Sequence, residues 1–157
     1  MFQEVSIQEK AAALLAETGL EGNFPLPVEK VVQHLGFECH FYIPDKDIED
    51  IASAVSYLKR KIYVNQNNSI PQQRFSIARK IGCLVLHGDN QDYIGYLRLT
   101  DDPKDKAAET FAQNLLMPEK TFREQWTKTK HDIVAMANFF GVSQFLISSR
   151  ASSLGLC

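Results

Sequence analysis

Between Arg74 and His87 the chain reads RFSIARKIGCLVLH, and this stretch limits what the remainder can be. Ile77, Ala78, Ile81, Leu84 and Val85 follow the i, i+1, i+4, i+7, i+8 spacing of one helical face packed on a core. Arg79, Lys80, Cys83 and His87 share a second face of the same helix. Upstream, Ser69, Pro71 and Gln72 supply a hydroxyl cap, a first-turn proline and a capping-box partner. The pattern predicts a buried central helix that begins at Ser69.

These residues carry a resemblance. The stretch resembles the metal-binding helix of the ImmA/IrrE metallopeptidases, whose pattern runs roughly RFTLAHELGHLLLH. Arg74, Phe75, Ala78, Gly82, Leu84, Leu86 and His87 stand where that family has the same or similar residues. In such zinc peptidases a His-Glu-x-x-His helix sets two imidazoles one turn apart, with the Glu as general base for the zinc-bound water. Matched position by position, Arg79 replaces the first His, Lys80 the Glu and Cys83 the second His. Two of the three are cations, which repel a divalent metal and cannot accept a proton from water.

Further along, Asp102 caps a helix with Pro103 at its first position and Asp105 in its first turn, running to about Leu116. Its sequence, KAAETFAQNLLMP, resembles the family block EAN-x-FAAELLMP, whose Glu is the third metal ligand. Counting back from Met117 and Pro118, that Glu falls on Ala107, which cannot bind zinc. The nearest carboxylates, Asp105 and Glu109, lie roughly 160° around the helix from position 107. The segment IVAMANFFGVSQFLISSRASSLGL in turn resembles the family's ALAxRFGVSxxAVxxRLxxLGL tail. Its Gly-Val-Ser turn between short helices also has the look of a helix-turn-helix.

The rest of the chain predicts an α+β arrangement. A first helix from about Ser6 to Glu17 starts on a Ser6–Glu9 capping box and ends at Gly19, and a second runs from Val28 to Leu35. Alternation of Phe37, Cys39, Phe41 and Ile43 with Glu38, His40 and Tyr42 predicts a half-buried strand with His40 facing solvent. After the acidic stretch Asp45 to Asp50, strands over Ala52–Leu58 and Ile62–Val64 flank the basic turn Lys59, Arg60, Lys61 as a hairpin. The expected sheet is small, antiparallel and three-stranded. Gly88 to Thr100 reads as a loop over the cleft, with Tyr93 and Tyr96 either covering the cleft or packing as ordinary apolar rings. Helices are expected from Pro118 to Trp126, His131 to Phe140 and Ser143 to Arg150. The expected whole is one zincin-like domain over residues 1–157, with a helical, helix-turn-helix-like subregion from about 118.

Composition narrows the function classes. With 157 residues, 45% hydrophobic and 23% charged, the chain can bury a full core as one domain. A net charge of −2 gives no general pull toward nucleic acid or acidic membranes. Cys39, Cys83 and Cys157 are odd in number and widely spaced, so neither a disulfide framework nor a Cys-x-x-Cys metal pair is expected. No apolar run approaches the ~18 residues of a membrane span, and a cytoplasmic location is the expectation.

Three readings follow. The resemblance, with its ligands and base replaced, implies a pseudopeptidase that binds a protein partner without cutting it. Because active relatives cleave helix-turn-helix repressors and are often carried by prophages and other mobile elements, the implied partner is a repressor or a related peptidase. A zinc endopeptidase with unorthodox ligands such as Cys83, His87 and a carboxylate is the enzyme alternative. A small DNA-binding regulator is the third, though its would-be recognition helix offers only Arg150 as a cation. No metal and no cofactor are expected, and the sequence fixes no oligomeric state. Ordinary structural roles are expected for His34 and His131. In the cleft, candidate residues are Arg79, Lys80, Cys83, His87, Asp105 and Glu109. Arg79 is expected to pair with Asp101, Asp102, Asp105 or Glu109, because its planar fork suits a carboxylate, while Lys80 is expected to reach water.

Overall fold

The computed structural model describes residues 3–96 and 101–157. Helix α1 spans Glu4–Thr18 and buries Ile7, Ala11, Leu14 and Leu15. It starts ahead of the expected Ser6 cap, on Gln3 with no side-chain cap bond, so the Ser6–Glu9 capping box does not form its start. Once a buried stripe has nucleated a helix, adding a turn at a solvated end costs little. Gly19 ends α1 in the left-handed region, as its position suggested. Helix α2, Val28–His34, closes with Phe37 N–H donating to Val32 O at 3.1 Å and Gly36 N–H to Gln33 O at 3.0 Å. This double bond pattern needs a left-handed residue at Gly36, whose φ is 83°.

The sheet holds β1 (Glu38–Tyr42), β2 (Ile51–Ser56), β3 (Lys61–Asn65) and β4 (Tyr93–Tyr96), in the order β1-β3-β2-β4. The β2–β3 hairpin is antiparallel as expected, and His40 faces solvent. Two features correct the sequence reading. First, β1 pairs with β3 in parallel, Cys39 opposite Ile62 and Phe41 opposite Val64, so the sheet is mixed. Alternation in a strand sets which face is buried but not which strand lies beside it. The connection through the short 3-10 turn Lys46–Ile48 carries the chain past β3 before β2 begins. Second, the expected loop after the central helix contains β4, which pairs antiparallel with β2 at the sheet edge. The remainder of that loop, residues 97–100, lies outside the described residues.

Helix α3 (Ile70–His87) is the central helix, with both halves of the Ser69–Gln72 capping box formed. Its apolar face, including Ile77, Ala78, Ile81 and Leu84, is buried. Helix α4 (Pro103–Leu116), capped by Asp102, packs tightly along it. A Cβ at Gly82 would lie 3.0 Å from Ala108 O and 3.2 Å from Phe111 Cβ, so the close approach of the two helices depends on glycine there.

The C-terminal part comprises α5 (Glu119–Lys128), α6 (Ile133–Phe140) and α7 (Gln144–Ser153). Helix α6 begins two residues later than expected because Lys130 and His131 take left-handed φ values of 57° and 66°. Asp132 then caps it by accepting from Val134 and Ala135 N–H. Gly141 and Ser143 form the turn into α7. Two arginines tie these helices to the rest. Arg74 Nε donates to Gly141 O at 2.9 Å, and buried Arg150 donates to Met117 O at 3.2 Å and Asn114 Oδ1 at 3.1 Å. One hydrophobic cluster runs from Ile7 on α1 to Ala151 on α7. Among the described residues no helix is long and apolar enough to cross a membrane.

Candidate functional site

The second face of α3 points toward α4 and β4, and its side chains decide what this region can do. Arg79 Nη1 lies 3.4 Å from Glu109 Oε1, and Nη2 donates to Tyr96 O at 3.2 Å. The guanidinium sits 5.7 Å from the centroid of the Phe75 ring. Among the described residues its Nε is buried without a hydrogen-bond partner. Position 79 is thus held by α4, β4 and its own helix at once.

Lys80 corrects the expectation that it would reach water. It is 2% exposed and lies under β4: a Cβ at Gly95 would stand 2.5 Å from its Nζ and 3.0 Å from Arg79 Nη2. Position 95 is glycine where two cationic side chains press on the strand. Burial pushes the Lys80 ammonium below the ordinary lysine range, with Arg79 acting in the same sense and Cys83 and Asp105 opposing. Cys83, also buried, has its thiol pushed up, chiefly by desolvation. A thiol held protonated is a poor metal ligand.

His87 is half-buried at the end of α3, with Nε2 3.2 Å from Lys104 O and its ring 6.4 Å from that of Tyr93. On α4, buried Ala107 belongs to the hydrophobic cluster. Asp105 and Glu109 lie on the other side of that helix and face α3. Glu109 meets Arg79, and the charge of Asp105 acts on Lys80 and Cys83. The other three histidines lie elsewhere: His40 is exposed on β1, His34 is 3.4 Å from Glu17 Oε2, and His131 stacks on Trp126 at 4.7 Å.

The donor set does not suit zinc. The three matched ligand positions hold a guanidinium, a buried thiol whose pKa is pushed up and a methyl group, and a buried lysine stands at the position of the base. Among the described residues no three His, Cys, Asp or Glu side chains converge on a point that could hold a metal. No hydrolytic step through a metal is derived from these residues.

Beside this cluster is a cleft of about 360 Å³ between α3, α4, α7 and the edge of the sheet. Of the six candidates, Arg79 and Glu109 line it, while Lys80, Cys83, His87 and Asp105 do not. Its walls include Ala52, Phe75, Tyr96, Gln113 and Phe145. Phe145, on the first turn of α7, is 77% exposed. Sequence reasoning missed Gln113 and Phe145 as cleft residues. An apolar residue just after the Ser143 cap, on the solvent side of a short helix, was the available signal for Phe145.

No curated protein matches the chain. Among solved structures, a Mycobacterium tuberculosis transcriptional regulator is similar, with a TM-score of 0.70 and 18% identity over 93% of this chain and 46% of that one. The chain therefore spans just under half the length of that regulator, and the likeness is one of fold. A sequence profile for the IrrE N-terminal-like domain matches residues 41–152, a span that takes in the end of β1, the other three strands, the central helix, the α4 block and most of the C-terminal helices. The chain belongs to the IrrE N-terminal-like domain family.

Proposed function

We propose that this protein is a catalytically inactive ImmA/IrrE-type pseudopeptidase, acting in the cytoplasm as a regulator by binding a protein partner. The partner proposed is a helix-turn-helix repressor or a related peptidase, in a prophage or mobile-element setting. The observation that carries the reading is the Arg79–Glu109 pair with Lys80 buried beside it. Arg79 thus stands, paired, where the family has its first metal ligand, and Lys80 stands buried where the family has its base. The Arg79 guanidinium stays protonated and cannot activate water. The 360 Å³ cleft next to the pair keeps room for a peptide segment. Similarity of fold to a protein described as a transcriptional regulator is consistent with a regulatory role.

The endopeptidase alternative would need Cys83 as a thiolate, and burial acts against that. For the DNA-binding alternative, the one cation of α7, Arg150, is 3% exposed and bonded to Met117 and Asn114. The test is incubation with the helix-turn-helix repressor encoded nearest to this protein's own gene, followed by size-exclusion chromatography and mass spectrometry. A complex containing intact repressor is expected. Repressor fragments that cease to form when a chelator is added would overturn the reading.

A further inference from the structure

We infer that the open edge of β1 takes an extended segment of a partner protein as a fifth strand of the sheet, with an apolar side chain of that segment seated against Phe41. This edge lies on the far side of the sheet from β4 and the Arg79 site, and the inference does not depend on whether that site cuts. Glu38 N–H donates to Arg60 O at 3.0 Å, and Tyr42 O accepts from Gln66 N–H at 2.8 Å, so the even-numbered residues of β1 turn their backbone groups onto β3. The N–H and C=O groups of Cys39 and Phe41 consequently point the other way, where no strand pairs with them among the described residues. Donors and acceptors at that spacing match one chemistry, the backbone of another extended chain.

β1 lacks the devices that usually blunt an edge. It holds neither lysine nor proline, and it pairs with Lys61–Asn65 over five residues without a register shift. β4, at the opposite edge, has four residues, and its pairing with β2 is interrupted between Ile51 and Ser53. Phe41, half-buried, lines a groove of about 570 Å³ between α2 and the first turns of α3. Val28 and Ile77, both buried, and Ile70, which is 65% exposed, share that groove with it. A side chain opposite Phe41 on an added strand falls on the same face of the sheet and enters this groove, which suits a bulky apolar residue. Glu29, Lys30 and Arg74 give the lining both signs of charge, so backbone pairing and apolar fit select the occupant. α2 packs on β1 and walls the groove, so a second copy paired on this edge would bring its own α2 into the same space. A single extended segment does not.

The probe is a short fluorescein-labelled peptide of alternating threonine and valine, capped at both ends. Its counterparts carry serine in place of each valine, an N-methyl group on each valine, or an N-methyl group on each threonine. In the free protein the amide hydrogens of Cys39 and Phe41 should exchange with solvent faster than that of His40, and the peptide should slow both. By anisotropy, the serine form and at least one N-methylated form should bind at least about 10-fold more weakly than the parent. Ile70→Ser should weaken binding without lowering Tm. Cys39→Pro, which removes an outward donor and leaves the β3 ladder whole, should weaken it too. Binding of the serine form, or of both N-methylated forms, as tight as that of the parent would overturn the inference. No binding of the parent, or slowed exchange confined to another surface, would also overturn it. A dimer of the free protein in which Cys39 and Phe41 are already protected would overturn it as well, making a second copy the occupant.

Discussion

Replacing Lys80 with methionine tests the energetics of the altered site. The side chain is 2% exposed. Asp105 and Cys83 act on it only through space, and Arg79 repels it. A buried cation in that setting costs more in lost hydration than its neighbours return. Methionine has nearly the same length and fills the space under Gly95 without a charge. Lys80→Met should therefore stabilise the fold by about 1–4 kcal/mol. For a chain of this size a gain of about 2 kcal/mol raises Tm by about 4–8 °C. The pH dependence gives a second readout. In the unfolded chain Lys80 titrates near 10.5, and in the fold it titrates lower. Between those values the unfolded state holds the extra proton, so parental stability rises with pH across that window. The advantage of Lys80→Met should be greatest below the window and fade as pH approaches 10.5. Cys39, whose thiol is pushed up to about 12 by burial, and Cys83 act in the opposite sense above pH 9; Cys39 cancels in the difference, but Cys83 is coupled to Lys80 and does not, so the difference reports Lys80 alone only below pH 9. Thermal melts of both proteins across pH supply the data. A variant destabilised by several degrees at every pH, with a difference that does not move, would refute the reasoning.

Arg79→Ala should lose about 1–3 kcal/mol in chemical denaturation, because it strands Glu109 and releases Tyr96 O; a value near zero would mean the pair is inert. Gly82→Ala gains roughly 1 kcal/mol of helix propensity but forces α3 from the Ala108 carbonyl, for a net loss of about 1 kcal/mol or more; a rise in Tm would contradict the close packing. Gel-shift titration against operator DNA should give no sequence-selective complex, since Arg150 is consumed internally; a tight complex that weakens steeply with salt would restore the DNA-binding alternative.

What the sequence made legible were features decided within one turn of chain. The Ser69–Gln72 box, the Asp102–Pro103 start of α4, the Gly19 stop and the Gly141–Ser143 turn all appear as read, because capping depends on neighbours a few residues away. Family membership was legible for a similar reason, since framework residues such as Arg74, Gly82 and Phe111 keep their spacing. Partners far apart in sequence were not legible. The parallel β1–β3 pairing depends on the route of the chain between β1 and β2, and alternation does not encode a route. The late start of α6 follows from the left-handed Lys130 and His131, with His131 stacked on Trp126. At the site, the replaced residue types could be read directly, and Glu109 was among the carboxylates named for Arg79. The burial of Lys80 could not, because it depends on β4 crossing over it with a glycine at the point of contact.

The central claim is that the residues at the family's metal position no longer make a zinc site. Elemental analysis of protein purified without chelator tests it most directly, run alongside a peptidase assay on the same sample. The account predicts zinc well below one per chain and no cleavage, because Arg79, Cys83 and Ala107 offer at most one ligand and that one is held protonated. Zinc at one per chain, lost on chelation together with peptidase activity, would contradict it.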